Sequence, residues 1–287
     1  MEKPAYQTLV SARELARHLS RPDWLVVDCR FDLAKPEAGE AAYRAGHIPG
    51  AIYAHLDRDL AGPITPTSGR HPLPDPAQFA ATLGRWGMKP DTQVVAYDAD
   101  NGAFAARLWW LLRWVGHRAV AVLDGGFRAW TEEGLPTTTE IPVRTETRFE
   151  VRPDRNAWLE ASEVAERVSR PDWRLLDARA PERFAGEVEP IDTAAGHVPG
   201  ARNHPFASNL DERARFRSPE ELRARFDSSQ AGVANDRTIV MCGSGVTACH
   251  LLLAMEVAGK PGARLYAGSW SEWIRDPARP IAKGRES

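Results

Sequence analysis

Residues 239–250 read Ile-Val-Met-Cys-Gly-Ser-Gly-Val-Thr-Ala-Cys-His. An apolar run stops at Cys242, and Gly243 and Gly245 follow within three residues. Glycine takes backbone angles that other residues resist, so successive amides can turn inward as a nest. A helix starting at this point adds the positive end of its dipole. Such a cup favours the thiolate, which is the form of sulfur that attacks. Cys242 is therefore the candidate nucleophile, and Gly243, Ser244, Gly245, Val246 and Thr247 are the loop that would hold charge beside it. A buried, inert cysteine before an ordinary turn is the plain alternative. The strand-end position weighs against it, because open α/β sheets bind ligands beyond the carboxyl ends of their strands. Cysteine phosphatases use a similar cup but place an arginine six residues after the thiol to clamp phosphate. Ala248 stands there, so phosphoester chemistry is set aside. Cys29 falls inside a strand pattern and Cys249 in a helix start, and both read as core.

That loop needs a sheet to carry it. "WLVVDCR", "TQVVAYD" and "AVAVLDG" are short, β-branched runs bounded by Asp or Gly, as buried strands are. "SARELARHL" is a helical pattern, with Ser11 and Glu14 spaced as a capping box. "FAARLWWLLRWVG" and "VTACHLLLAMEVAG" read as helices closed by glycine. Strands alternating with helices imply an α/β fold, with a mostly parallel sheet and helices on both faces.

The chain also repeats itself. "SRPDWLVVDCR" (20–30) returns as "SRPDWRLLDAR" (169–179), and "AGHIPGA" (45–51) as "AGHVPGA" (195–201). "GHRAVAVLDGGFRAW" (116–130) returns more loosely as "GKPGARLYAGSWSEW" (259–273). Three matches in one order, offset by about 150 residues, mean a duplicated domain. The expected layout is an N-terminal domain over 1–136, an extended linker over 137–154 and a C-terminal catalytic domain over 155–287. Alignment of the halves puts Asp98 where Cys242 stands. The first half should thus be catalytically silent, a scaffold and one wall of a cleft. His47 and His197 recur in both halves, which favours a structural role. Trp109, Trp110 and Trp114 read as core and interface filler.

Composition narrows the function classes. The 37 Lys and Arg nearly balance 39 Asp and Glu, so nothing argues for nucleic acid or an anionic membrane. No apolar run approaches the ~18 residues of a membrane span, and the N-terminus has no signal-peptide core. A cytoplasmic protein is expected. Three cysteines are too few for a disulfide framework, and none has zinc spacing, so no metal is expected.

The tandem Asp-x-Arg, Gly-His-(Ile/Val)-Pro-Gly-Ala and Gly-Gly-Phe-Arg-Ala-Trp/Gly-Ser-Trp-Ser-Glu-Trp frames, with a single cysteine loop, resemble the two-domain rhodanese-like sulfurtransferases from about Leu9 to Trp273. The resemblance implies two tandem rhodanese domains, a cysteine persulfide intermediate and no organic cofactor. The loop Cys-Gly-Ser-Gly-Val-Thr-Ala resembles the 3-mercaptopyruvate branch, whereas the thiosulfate branch carries Arg and Lys after its cysteine. A less basic cup suits a neutral or monoanionic donor. By that resemblance Arg179 and Arg183 bind the donor's carboxylate and keto oxygen, and Ser244, His71 and Asp57 form a proton relay. The implied partners are a small-molecule sulfur donor and a thiol acceptor such as thioredoxin, or cyanide, with the chain a monomer. The alternatives are a thiosulfate sulfurtransferase and, from another class, a non-catalytic redox or binding module using Cys242 and Cys249.

Overall fold

The β-branched runs form strands in a computed structural model, which describes residues 6–285. Residues 1–5 begin the stretch read above for a signal peptide, and with residues 286–287 they lie outside the described residues. In the first half the strands are β1 (Leu9–Val10), β2 (Trp24–Asp28), β3 (Ile52–Tyr53), β4 (Gln93–Tyr97) and β5 (Val120–Leu123). They pair in parallel in the order β1-β5-β4-β2-β3. In the second half they are β6 (Trp158–Leu159), β7 (Arg174–Asp177), β8 (Ala201–Asn203), β9 (Thr238–Met241) and β10 (Arg264–Tyr266). Their order, β6-β10-β9-β7-β8, is the same topology, again parallel. Each half is thus an α/β domain with a five-stranded parallel sheet flanked by helices. Every residue of β2, β4 and β9 is buried, as a sheet covered on both faces requires.

Apolar side chains from the strands and from the helices packed on them build two cores. The first gathers Leu15, Val26, Val95, Tyr97 and Trp130, and the second Val164, Leu175, Ile239, Tyr266 and Trp273. Full burial of such side chains contributes about 1.5–3 kcal/mol each. The repeated histidines tie loops within these units. His47 bonds the Tyr43 carbonyl through Nδ1 at 2.7 Å and stacks on the Tyr43 ring. His197 does the same with Phe184 at 2.8 Å. Trp109 is buried and donates to the Gln7 carbonyl, as core filler does.

Two local patterns come out differently from their sequence reading. The first helix spans only Ala12–Ala16, and its capping box is half formed. Ser11 accepts from the Glu14 amide, but the Glu14 carboxylate is bound by Tyr6, Arg17 and His18 instead of returning to Ser11. The helices Ala105–Trp114 and Thr247–Val257 do end as expected, with Gly116 (φ +93°) and Gly259 (φ +71°) in the left-handed region.

By contact the chain forms two units. The first takes the chain up to Gly62, then Pro74–Asp154 and Glu212–Arg215. The second takes Pro63–Leu73, Arg155–Asp211 and the chain from Phe216 onward. Stretch 137–154, read as a linker, has no helix and lies on the first unit, bonding His47, Gly84 and Val115 through Thr138, Thr147 and Arg152. Segment Pro63–Leu73 is the larger surprise, because it belongs with the second unit although it lies in the first half of the sequence. No described helix is long and apolar enough to cross a membrane.

Candidate active site

Strands β7 and β9 are neighbours in register, with Asp177 beside Met241, so the segments after them rise from one sheet edge. Cys242 follows β9 directly and is 2% exposed. The Gly245 amide donates to Cys242 Sγ at 3.1 Å. Gly245 has φ +77°, and any side chain there would strike the Ala267 carbonyl. The glycine is therefore required twice, for its backbone angle and for close approach. Among the described residues the amides of Ser244, Val246 and Thr247 have no acceptor within the chain. Thr247 opens the helix Thr247–Val257, so these donors sit at its positive end. The loop has the geometry of an anion nest closed on the sulfur. Cys249 turns away, with its thiol on the Gly245 carbonyl at 3.2 Å.

A second backbone support was not foreseen. The Cys242 amide donates to Ser269 Oγ at 3.0 Å, and that hydroxyl donates to the Tyr266 carbonyl at 2.8 Å. Ser269 has φ +54°, uncommon for a side-chain-bearing residue. Its counterpart in the repeat is Gly126, also left-handed at φ +57°. The available signal was a serine standing where the other copy has glycine.

Segment Pro63–Leu73 brings further groups to the loop. His71 Nδ1 lies 2.7 Å from Ser244 Oγ, and both residues are buried. Two members of the expected relay therefore meet. Asp57 lies in the first unit, on the short helix Leu56–Asp59. Arg70, which sequence reasoning missed, precedes His71; its amide donates to Ser271 Oγ at 3.1 Å. A carbon placed on Gly243 would lie 2.9 Å from Arg70 Nη2 and 3.7 Å from both terminal nitrogens of Arg183. Two guanidinium groups thus converge on the residue after the nucleophile. Arg183 is held by Glu189 (2.7 Å) and Asp192 (3.2 Å), and Arg70 pairs with the same Asp192 carboxylate. Burial pulls the Arg70 pKa below the ordinary guanidinium value, while the Cys242 sulfur pushes it up.

Arg179, expected to bind the donor, has a side chain that is 1% exposed. Its Nε and Nη2 donate to the buried Asp177 at 2.7–3.1 Å, and Nη2 also donates to the Gly196 carbonyl. The guanidinium lies over the Trp270 ring at 4.7 Å. Arg30 makes the equivalent set with Asp28, Gly46 and Phe127 in the half without a nucleophile. The shared set serves the fold and uses Nε and Nη2 of Arg179, while its buried Nη1 has no hydrogen-bond partner among the described residues and lies 3.5 Å from Glu189 Oε2.

The first unit carries the same loop in another form. Asp98 accepts from the amides of Gly102 (2.9 Å), Phe104 (2.8 Å) and Ala105 (3.2 Å). Burial raises its pKa and the three amides oppose that rise. The cup there holds its own carboxylate.

A duplicated five-stranded parallel α/β domain, with a strand-end cysteine loop in the second copy, defines the class of fold. The model for the rhodanese-like domain matches residues 11–133 and 160–276. A relative from Pseudomonas aeruginosa named "Probable 3-mercaptopyruvate sulfurtransferase" is 50% identical over 278 residues, covering 96% of this chain and 98% of its own. A thiosulfate sulfurtransferase from Cricetulus griseus is 37% identical, over 98% of this chain and 97% of its own. The solved structure of 3-mercaptopyruvate sulfurtransferase from Leishmania major superposes with a TM-score of 0.82 at 33% identity, over 93% of this chain and 74% of that one. The chain belongs to the rhodanese-like family and carries two copies of its domain.

Proposed function

We propose that this chain is a sulfurtransferase that takes sulfur from 3-mercaptopyruvate through a persulfide on Cys242. One observation carries the reading: Cys242 Sγ sits in the Gly243–Thr247 loop with the Gly245 amide on it and without a cation inside the loop. The relatives named for 3-mercaptopyruvate agree with it.

In the first half-reaction the Cys242 thiolate attacks the donor sulfur. The S–S bond forms, the C–S bond breaks, and pyruvate leaves as its enolate. The enolate then takes the proton that the donor thiol brought. Ser244 and His71, 2.7 Å apart, would pass that proton. The loop amides of Gly243, Gly245, Val246 and Thr247 stabilise the charge on sulfur. Arg183 binds the donor. In the second half-reaction a thiolate acceptor attacks the outer sulfur, forms its own persulfide and returns Cys242 as thiolate. A reduced thioredoxin would serve, and cyanide would leave as thiocyanate. Transfer through a covalent enzyme predicts ping-pong kinetics. The chain would act as a cytoplasmic monomer.

The Cricetulus griseus relative, and two arginines at the loop, favour thiosulfate as the second reading. Comparing kcat/KM on the two donors decides between them, and a large preference for thiosulfate would sink the assignment. Intact mass after donor treatment should show one added sulfur atom, lost on adding thiol and absent in Cys242→Ser. A Cys242–Cys249 disulfide, seen as loss of two hydrogens, would instead support a redox module.

A further inference from the structure

The Cys242 loop holds no cation, yet a keto-acid donor brings a carboxylate that must be met. Arg179 is committed through Nε and Nη2 to Asp177 and Gly196. The Nε of Arg70 is buried without a partner among the described residues, and its Nη2 points at the face of Gly243 that Arg183 also approaches. A buried guanidinium donor left unmade is costly, and a planar fork suits a carboxylate.

We infer that Arg70 is a donor-binding residue: with Arg183 it forms a clamp of two guanidinium groups that takes the carboxylate of an α-keto thiol over the Cys242 loop. The inference rests on the proposed function and adds a residue and a specificity rule to it. One carboxylate sets the clamp, since Asp192 meets Arg70 through Oδ1 and Arg183 through Oδ2. Asp192 is in turn fixed by its own amide, which donates to Glu189 Oε1 at 3.1 Å. The side chains of Glu189 and Asp192 are 4% and 5% exposed, so the pairing is little screened. Arg70, Arg179 and Arg183 face Asp177, Glu189 and Asp192, which leaves the cluster without net charge. Such a cluster can orient a monoanion by hydrogen bonds but offers a dianion no net field. This favours a keto-acid thiol over thiosulfate.

The rival role for Arg70 is a tether that holds segment Pro63–Leu73 to Asp192. Two donors separate the roles: 3-mercaptopyruvate, and mercaptoacetone, the same α-keto thiol with a methyl group in place of the carboxylate. In the full chain, Arg70→Met should lower kcat/KM for 3-mercaptopyruvate about 10- to 100-fold, mostly through KM. It should leave mercaptoacetone within about 2-fold. Pyruvate, as a competing product, should bind more weakly by a similar factor. Equal losses on both donors, or none on either, would overturn the assignment. If Arg70→Met does not fold, Arg70→Lys carries the same comparison, because it keeps a charge for Asp192 and loses the fork; it should lose rate on 3-mercaptopyruvate alone. Failure of the parent reading looks different, since the unmodified chain would itself then prefer thiosulfate.

Discussion

Arg30 lies on Asp28 and over Phe127, and Arg179 lies on Asp177 and over Trp270. Removing one partner of a buried pair leaves the other charge uncompensated, at a cost of about 3–5 kcal/mol. Arg30→Met and Arg179→Met should therefore destabilise the chain by similar amounts in urea unfolding. An Arg179→Met chain of normal stability, with donor binding selectively lost, would assign Arg179 to the substrate. The Asp-x-Arg spacing was visible in the sequence, but spacing does not say whether a guanidinium still has donors to spare. Cys242 was legible because a thiol at a strand end before two glycines is chemically specific. Ser244 and His71 needed the family frame to be paired. Arg70 stayed hidden for a plain reason: it is one arginine in a polar stretch, and only the chain's path brings it to Gly243.

At the scale of elements, the loop Gly243–Thr247 and the turn at Ser269 hold the nucleophile together. Gly245→Ala meets both a left-handed φ and the Ala267 carbonyl. It should cost at least about 1–2 kcal/mol and lower kcat/KM about 100-fold, because a small displacement of Sγ spoils the attack geometry. Unchanged kinetics would show that the loop tolerates another path. A second element reports on pH. His204 joins the helix Pro219–Gln230 to the turn Phe206–Asn209 through Ser229 (2.7 Å) and Asn209 (2.9 Å), stacked on Phe226. Burial lowers its pKa from 6.5 to about 4. The unfolded chain thus takes a proton that the folded chain refuses. Stability from this site is full above pH 6.5, falls as pH drops toward about 4 and is level below that. Between pH 7.5 and 5 the loss is about 2 kcal/mol, and His204→Gln should remove that part of the slope in denaturant melts. Helix-ending glycines were readable from sequence because one residue decides them. The half-made cap at Ser11 was not, because Tyr6 and His18 compete for Glu14.

At the scale of the whole molecule, the repeated frames made the duplication and the α/β class legible, since each copy confirms the other. The crossing of Pro63–Leu73 was not, because that segment has no counterpart among the repeated frames and contributes Arg70 and His71 to the second unit. A fragment beginning at residue 155 would keep Cys242 and lose both. Its kcat/KM on 3-mercaptopyruvate should fall by at least ~100-fold against the full chain. Full turnover by the fragment would show that the segment is dispensable. The duplication also bears on counting. Asp98 already fills the first cup from within, on three amides. A small anion or a thiol-directed label titrated into the protein should therefore saturate at a single loop site per chain, although the fold was copied twice.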